Sequence, residues 1–310
     1  NYQAIREYVV ACHKRYGDDI TFIPGAYFAN MYNSREQVNR DLHDGLALVG
    51  DMVGGGFRPK SIVAGFLSAE NHRYLAEEEG IHVCQGNIWS QYGVDNGDGE
   101  GSLSYPYYPS REHFCKPAQG ESDFIDCVSL DGWTCDFVSA RQVGCGKNYN
   151  SRMGVGPIET IMNLGLEKGV EEMMATTAVH FDRGFERNRF GWVTDCCEAS
   201  LVTLRPGREE EFLDGLSQWL KSVRRRWPDA HMITQGAFGE LWRQAHKDNR
   251  GIDYRFEQCG TGINGSDPSL SIRWFMNSDF RLALLKSEKA DKDPEKVIDF
   301  TRYDLPAKEP

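Results

Sequence analysis

The stretch Asp131-Gly132-Trp133-Thr134-Cys135-Asp136 puts two carboxylates and an indole directly behind the apolar run 124–130. A carboxylate in that position can serve as a general base or a metal ligand, and two neighbouring acids in different surroundings can be pushed to different pKa values. The competing role for Asp131 or Asp136 is to cap a helix N-terminus. A second candidate is His180-Phe181-Asp182, close to Glu186 at the end of a long helical pattern. It offers a further acid/base or ligand pair, with His180 and Asp131 as the candidate metal ligands. Residues two apart on a helix point in different directions, so joint ligation requires a helix end or a bend. A structural histidine at a helix terminus is the alternative. Glu159 follows Gly154-Val155-Gly156-Pro157, whose glycines imply close backbone approach but do not form a dinucleotide fingerprint. A candidate calcium loop holds Asp95, Asp98 and Glu100 among glycines, although Gly97 and Gly99 stand where an EF-hand needs ligands.

These side chains need a frame, and the first half of the chain supplies a repeating one. Helical patterns at 2–16, 34–53 and 70–79 alternate with short apolar runs at 20–25, 61–67, 81–89 and 124–130. That order is typical of a parallel α/β sheet. The runs are continuously apolar rather than alternating, so both faces of the sheet are expected to be covered. Ser34 with Gln37 forms a capping-box signal, and Gly17, Gly54 and Gly80 mark helix stops. Segment 90–122 breaks the rhythm with a long run rich in Gly, Asp, Tyr and Pro, and connections of that length inside a compact unit are usually functional. A second loop, 141–157, leads into the long helical pattern 158–185. Helices at 209–226 and 240–246 and a strand at 232–234 follow, then antiparallel strands at 270–275 and 297–300 with a charged linker at 286–296.

In parallel α/β barrels the site forms at the C-terminal ends of the strands. That rule selects Tyr27 and Asn30, Glu70 and Asn71, Asn87, Trp89 and Gln91, Asp131 and Trp133, and Gln235. The set is polar and aromatic rather than basic, a composition suited to sugar hydroxyls and the apolar faces of sugar rings. Trp89 and Trp133 are the expected platforms, with Gln91, Tyr105, Tyr108 and Arg111 as further substrate contacts.

Composition narrows the classes. The chain has 310 residues, 40% hydrophobic and 26% charged, with 16 Phe, 13 Tyr and 7 Trp, which is ample for a folded core. A net charge of −11 argues against nucleic acid or an anionic membrane as the main partner. No apolar stretch reaches the roughly 18 residues of a membrane span. The 9 cysteines show no CxxC spacing, so neither a zinc ribbon nor a disulfide scaffold is suggested, and most are expected to be buried thiols. Asn1 opens directly on a helical pattern, so either a targeting segment has been removed or the chain begins inside a longer one. GxSxG, HExxH, Walker A and Rossmann glycine motifs are all absent.

The motifs Cys84-Gln85-Gly86-Asn87-Ile88-Trp89-Ser90-Gln91-Tyr92, Asp98-Gly99-Glu100-Gly101, Tyr105-Pro106-Tyr107-Tyr108-Pro109-Ser110, Leu130-Asp131-Gly132-Trp133 and Gly154-Val155-Gly156-Pro157-Ile158-Glu159-Thr160 are specific. With His180-Phe181-Asp182 and Trp274-Phe275-Met276-Asn277, they resemble a bacterial family, domain of unknown function 3863, across nearly the whole chain. Its members are described as polysaccharide deacetylases of the glycoside hydrolase/deacetylase (β/α)7-barrel superfamily. The resemblance implies a (β/α)7-type TIM-like barrel over 1–250, missing its first strand, and a β-rich C-terminal extension over 251–310. It implies removal of acetyl groups from a glycan; the alternatives are glycoside hydrolysis by paired carboxylates and a non-catalytic glycan-binding barrel. It further implies a carbohydrate partner, a divalent metal, zinc or calcium, and a secreted or periplasmic location. One departure stands out: the His-Ser/Thr-x-x-His zinc pair of the deacetylases is absent among the 8 histidines.

Overall fold

The structure, a computed structural model, describes residues 2–24, 33–63, 67–86, 103–132, 134–143, 153–195, 197, 206–263, 265–290, 292 and 295–309, with the backbone alone for 141–143. Within them the chain is an α/β fold with a three-stranded parallel sheet and its helices, followed by a four-stranded antiparallel sheet. The parallel strands β1 (Ile62–Val63), β2 (Val83–Gln85) and β3 (Val128–Leu130) lie in that order, with Ile62 opposite Cys84 and Cys84 opposite Ser129. Each lies within one of the expected apolar runs. Their side chains alternate between two cores: Ile62, Cys84 and Cys127 join one, while Val83, Val128 and Leu130 join the other. Both faces are therefore apolar, as a buried parallel sheet requires.

The helices on the first face are locally encoded. Helix α1 (Tyr2–Tyr16) buries none of its side chains, and Tyr2, Ile5, Tyr8 and Tyr16 are exposed. Helix α2 (Arg35–Val53) starts where Ser34 accepts a hydrogen bond from the Gln37 backbone N–H, stops at Gly54, and buries Val38, Leu42, Leu46 and Val49 along one stripe. Helix α3 (Ala69–Glu77) is capped by Ser68 in the same way. Residues 20–24 form no regular strand; Thr21 Oγ1 donates to Ser61 O at 2.6 Å and holds the segment beside the start of β1.

Past β3, helix α4 (Phe137–Val143) opens on Asp136, whose Oδ1 accepts from the N–H groups of Val138 and Ser139. The helical pattern 158–185 is not one helix. It divides into α5 (Pro157–Leu164) and α6 (Leu166–Val179) at Gly165, whose φ of 77° ends the first helix. A π-helical turn over His180–Gly184 then leads into α7 (Phe185–Asn188). Helix α8 (Glu209–Arg226) carries Glu209, Glu210 and Glu211 in its first turn and Arg224, Arg225 and Arg226 in its last, complementing the helix dipole at both ends. Residues 232–234, expected as a strand, are irregular. Thr234 instead accepts from the Ala237 N–H and starts α9 (Gln235–Ala245) earlier than the apolar pattern suggests.

The second sheet runs β4 (Asp253–Cys259), β5 (Leu270–Asn277), β6 (Phe280–Ser287) and β7 (Glu295–Arg302) in sequence order. Strand β6 takes in the first part of the expected charged linker. Among the described residues, no helix is long and apolar enough to cross a membrane.

A buried pair of acids joins the two sheets. Ser266, in the β4–β5 connection, donates to Asp136 Oδ2 at 2.6 Å, and Thr261 donates to Glu172 Oε2 of α6 at 2.7 Å. Burial, together with the hydrogen bond and charge of Asp136, pushes Glu172 up to about 9. Glu172 is therefore protonated at neutral pH, while Asp136 caps α4. Because its folded pKa lies above the ordinary carboxyl value, Glu172 contributes stability that is complete below about pH 4 and is lost as pH rises through about 9. Thermal unfolding should show Tm falling across that window, with the upper part of the fall, between about pH 7 and about pH 9, flattened in Glu172→Gln. An unchanged upper slope in the variant would contradict the assignment.

Candidate active site

The C-terminal end of β3 delivers Asp131 into the interior, 4% exposed. Residues 191–195 run alongside it: Thr134 N–H donates to Thr194 O at 3.2 Å, Thr194 N–H donates to Thr134 Oγ1 at 3.0 Å, and Thr194 Oγ1 donates to Asp131 O at 3.2 Å. Thr194 thus pins the segment so that the next residue, Asp195, emerges beside the strand end that carries Asp131. On the other side, Val155 N–H donates to Thr134 O and Asp136 N–H to Met153 O. Gly154 pairs there with Cys135 at φ 151°, and a Cβ on it would lie 2.6 Å from Thr134 O and 2.7 Å from Cys135 Cα. Only glycine permits that approach, which answers the close backbone contact read from the motif. Pro157 then starts α5, and Glu159 falls in its first turn, 2% exposed, where the helix dipole favours a negative charge.

The two acids Glu159 and Asp195 sense each other. Burial, with the charge of Glu159 second, pushes Asp195 up to about 7, and its Oδ1 is buried without a hydrogen-bond partner among the described residues. The same two carboxylates, behind burial, push the neighbouring Cys197 thiol up to about 11. Asp195 escapes the sequence analysis, yet its signal is the one that finds Asp131. The short apolar run Trp192-Val193 ends in an acid.

Tyr105 and His180 form the floor. The Tyr105 hydroxyl and His180 Nδ1 share a hydrogen bond of 2.8 Å, both residues are buried, and Phe256 packs on each ring. Burial drives His180 down to about 4, so it is neutral at ordinary pH; it drives the Tyr105 phenol up, and the Asp131 charge adds to this. Asp131 and Tyr105 are therefore electrostatic neighbours. Asp182 faces away from this group: Arg226 Nη2 donates to its Oδ2 at 2.7 Å and Trp227 Nε1 to its Oδ1 at 2.8 Å, tying the π-helical turn to the end of α8. His180 and Asp182 are not brought together, because a two-residue step around the turn separates their directions.

The remaining candidates fall elsewhere. Tyr108 is buried, its hydroxyl on His246 O at 2.8 Å and its ring against Trp242. Arg111 is bound to Glu77 Oε1 at 2.9 Å and to Phe124 O. Asn71 hydrogen-bonds Asn39 Oδ1 and Arg35 O inside the α2–α3 packing, Glu70 lies 3.7 Å from Arg35, and Gln235 begins α9. Tyr27, Asn30, Asn87, Trp89, Gln91, Asp95, Asp98, Glu100 and Trp133 lie outside the described residues. Among the described residues, no three His, Cys, Asp or Glu side chains are grouped to hold a metal ion. His180 Nδ1 is engaged by the Tyr105 hydroxyl, which leaves Nε2 as the other ring nitrogen.

No functionally curated protein matches the chain. A crystal structure of a provisionally named glycoside hydrolase/deacetylase from Parabacteroides distasonis superposes with a TM-score of 0.93 at 52% sequence identity, over 100% of this chain and 71% of that one. Residues 281–310 match a domain of unknown function with a solved structure, DUF3864. Residues 1–276 match a second such domain, DUF3863, and the chain belongs to that family.

Proposed function

We propose that the chain is a carbohydrate-active hydrolase that works by carboxyl acid–base chemistry, with Asp195 as the proton donor and Asp131 as its carboxylate partner. The observation that carries this reading is the raised carboxyl of Asp195. It is held protonated to about 7 by burial and by Glu159, in a segment bonded to the strand end that presents Asp131. A carboxyl that keeps its proton near neutral pH can give it to a leaving group. In this reading Asp195 protonates the leaving oxygen of a glycosidic bond, and Asp131 activates water or attacks the anomeric carbon. Glu159 positions the proton on Asp195 through its charge, and the neutral Tyr105–His180 pair lines the floor. Trp89 and Trp133 are the proposed sugar platforms, with Gln91 as a hydroxyl contact.

The parallel strands with segment 191–195 fit an arc of a (β/α)7-type barrel, whose strand ends are the customary place for such acids. Deacetylation of a glycan is the second reading, supported by the description of the Parabacteroides distasonis protein as a glycoside hydrolase/deacetylase. That chemistry would employ a divalent metal to activate water.

Asp195→Asn and Asp131→Asn should each lower kcat on a cleaved glycan by about 10²–10⁴-fold. The wild-type rate should fall as pH rises through about 7, where Asp195 loses its proton, and that limb should be missing from the residual activity of Asp195→Asn. Release of acetate in place of reducing ends, dependent on added zinc, would replace glycosidase by deacetylase chemistry. Retention of glycan on an affinity gel by Asp131→Ala but not by Trp89→Ala, with no turnover by wild type, would identify a non-catalytic binder.

The same acid should cost stability. Its raised pKa means that wild type loses stability from about pH 4 to about pH 7, whereas Asp195→Asn has no such charge to bury. The variant should gain several degrees of Tm at about pH 8 and little at about pH 4. Equal shifts at both would count against a buried, protonated Asp195.

A further inference from the structure

The core between the parallel sheet and helices α2 and α3 contains a pair of thiols that the proposed hydrolysis does not use. Cys84 on β2 and Cys127, just before β3, are both 0% exposed, and their sulfur atoms lie 3.0 Å apart. The strand register causes the meeting. Cys84 is opposite Ser129, and Cys127 stands two residues before Ser129, hence on the same face of the sheet.

His72 of α3 completes the group. Its Nδ1 lies 2.9 Å from Ser68 O, so in the neutral ring Nδ1 carries the proton and Nε2 remains a base. The imidazole interacts with the Cys84 sulfur. Burial alone would raise the Cys84 thiol, but the hydrogen bond from Cys127 and the charge on His72 outweigh it and bring Cys84 to about 6, while Cys127 is pushed up. One sulfur is thus disposed to be the nucleophile and the other to hold the proton.

We propose that Cys84 and Cys127 are a disulfide-forming site, oxidised by a small organic disulfide that reaches them in the folding chain. The Cys84 thiolate attacks one sulfur of the organic disulfide, forming a mixed disulfide and expelling one thiolate. Cys127 then gives up its proton, its sulfur attacks Cys84 and expels the second thiolate. In balance, two protein thiols and one disulfide become one protein disulfide and two small thiols. Closing the existing contact needs a contraction of about 1 Å, to a bond of about 2.05 Å. The bridge would tie together both ends of the excursion between β2 and β3, which carries Tyr105, and so restrict the unfolded chain. The assignment stands whether or not the chain hydrolyses glycans.

The test is to refold the reduced wild-type chain with and without glutathione disulfide, alkylate free thiols under denaturing conditions, and map the peptides by mass spectrometry. The expected result is a joined Cys84–Cys127 peptide, simultaneous loss of alkylation at both positions, and a Tm about 5–10 °C above the reduced form. Cys84→Ser and Cys127→Ser, each compared with its own reduced form, should lack that gain. Full alkylation of both thiols after oxidative refolding, or pairing of either with Cys115 or another cysteine, would overturn the proposal; the wild-type map alone decides this should a variant fail to fold.

Discussion

Tyr105, Tyr107, Tyr108 and Tyr254 are buried where the excursion between β2 and β3 meets the antiparallel sheet, and each hydroxyl is hydrogen-bonded. Tyr105 meets His180 Nδ1, Tyr107 donates to Phe114 O, Tyr108 to His246 O and Tyr254 to Pro106 O. A buried hydroxyl left without a partner costs about 1–3 kcal/mol, so these four rings are held to one arrangement of the excursion, the π-helical turn and β4 together. Asn249 reinforces it, accepting from Tyr108 N–H and donating to Tyr108 O and Ala118 O. The seam orients the Tyr105–His180 pair.

The same seam explains the electrostatics above it. Aromatic rings pack around Tyr105 and His180, and burial is the largest influence on both, acting on each in the direction of neutrality. Glu172 obeys the same rule at the joint between the sheets, where it and Asp136 accept from the hydroxyls of Thr261 and Ser266. Acids are taken out of water at two places: Asp136 and Glu172 where the two sheets are fastened, and Asp195 beside Glu159.

Much of the frame is legible in the sequence because it is local. Helices α2 and α8 announce themselves by caps, end charges and an apolar stripe, all set within a few residues. Strand β4 also carries its own signal, the alternation Asp253-Tyr254-Arg255-Phe256-Glu257, yet it is easily passed over between a helix and the more apolar β5. The break at Gly165 and the π-helical turn at His180 are hidden, since a helical pattern continues through both and only the packing of α5 against α6 and of Tyr105 against His180 interrupts it.

Taken alone, the amino-acid sequence determines the α/β order, the family motifs and the positions of Asp131 behind a strand and Glu159 behind a glycine turn, because residue type and such positions are local properties. Tertiary structure decides that Asp195 meets the charge of Glu159, that Asp182 is turned to α8 instead, and that Cys84 meets Cys127. Each of those outcomes depends on which distant segment lies alongside: Thr194 on Asp131, Arg226 and Trp227 on Asp182, β3 on β2. The charge state of an acid and the partner of a thiol are set by neighbours, and neighbours across 40 or more positions of sequence arise only when the chain is folded.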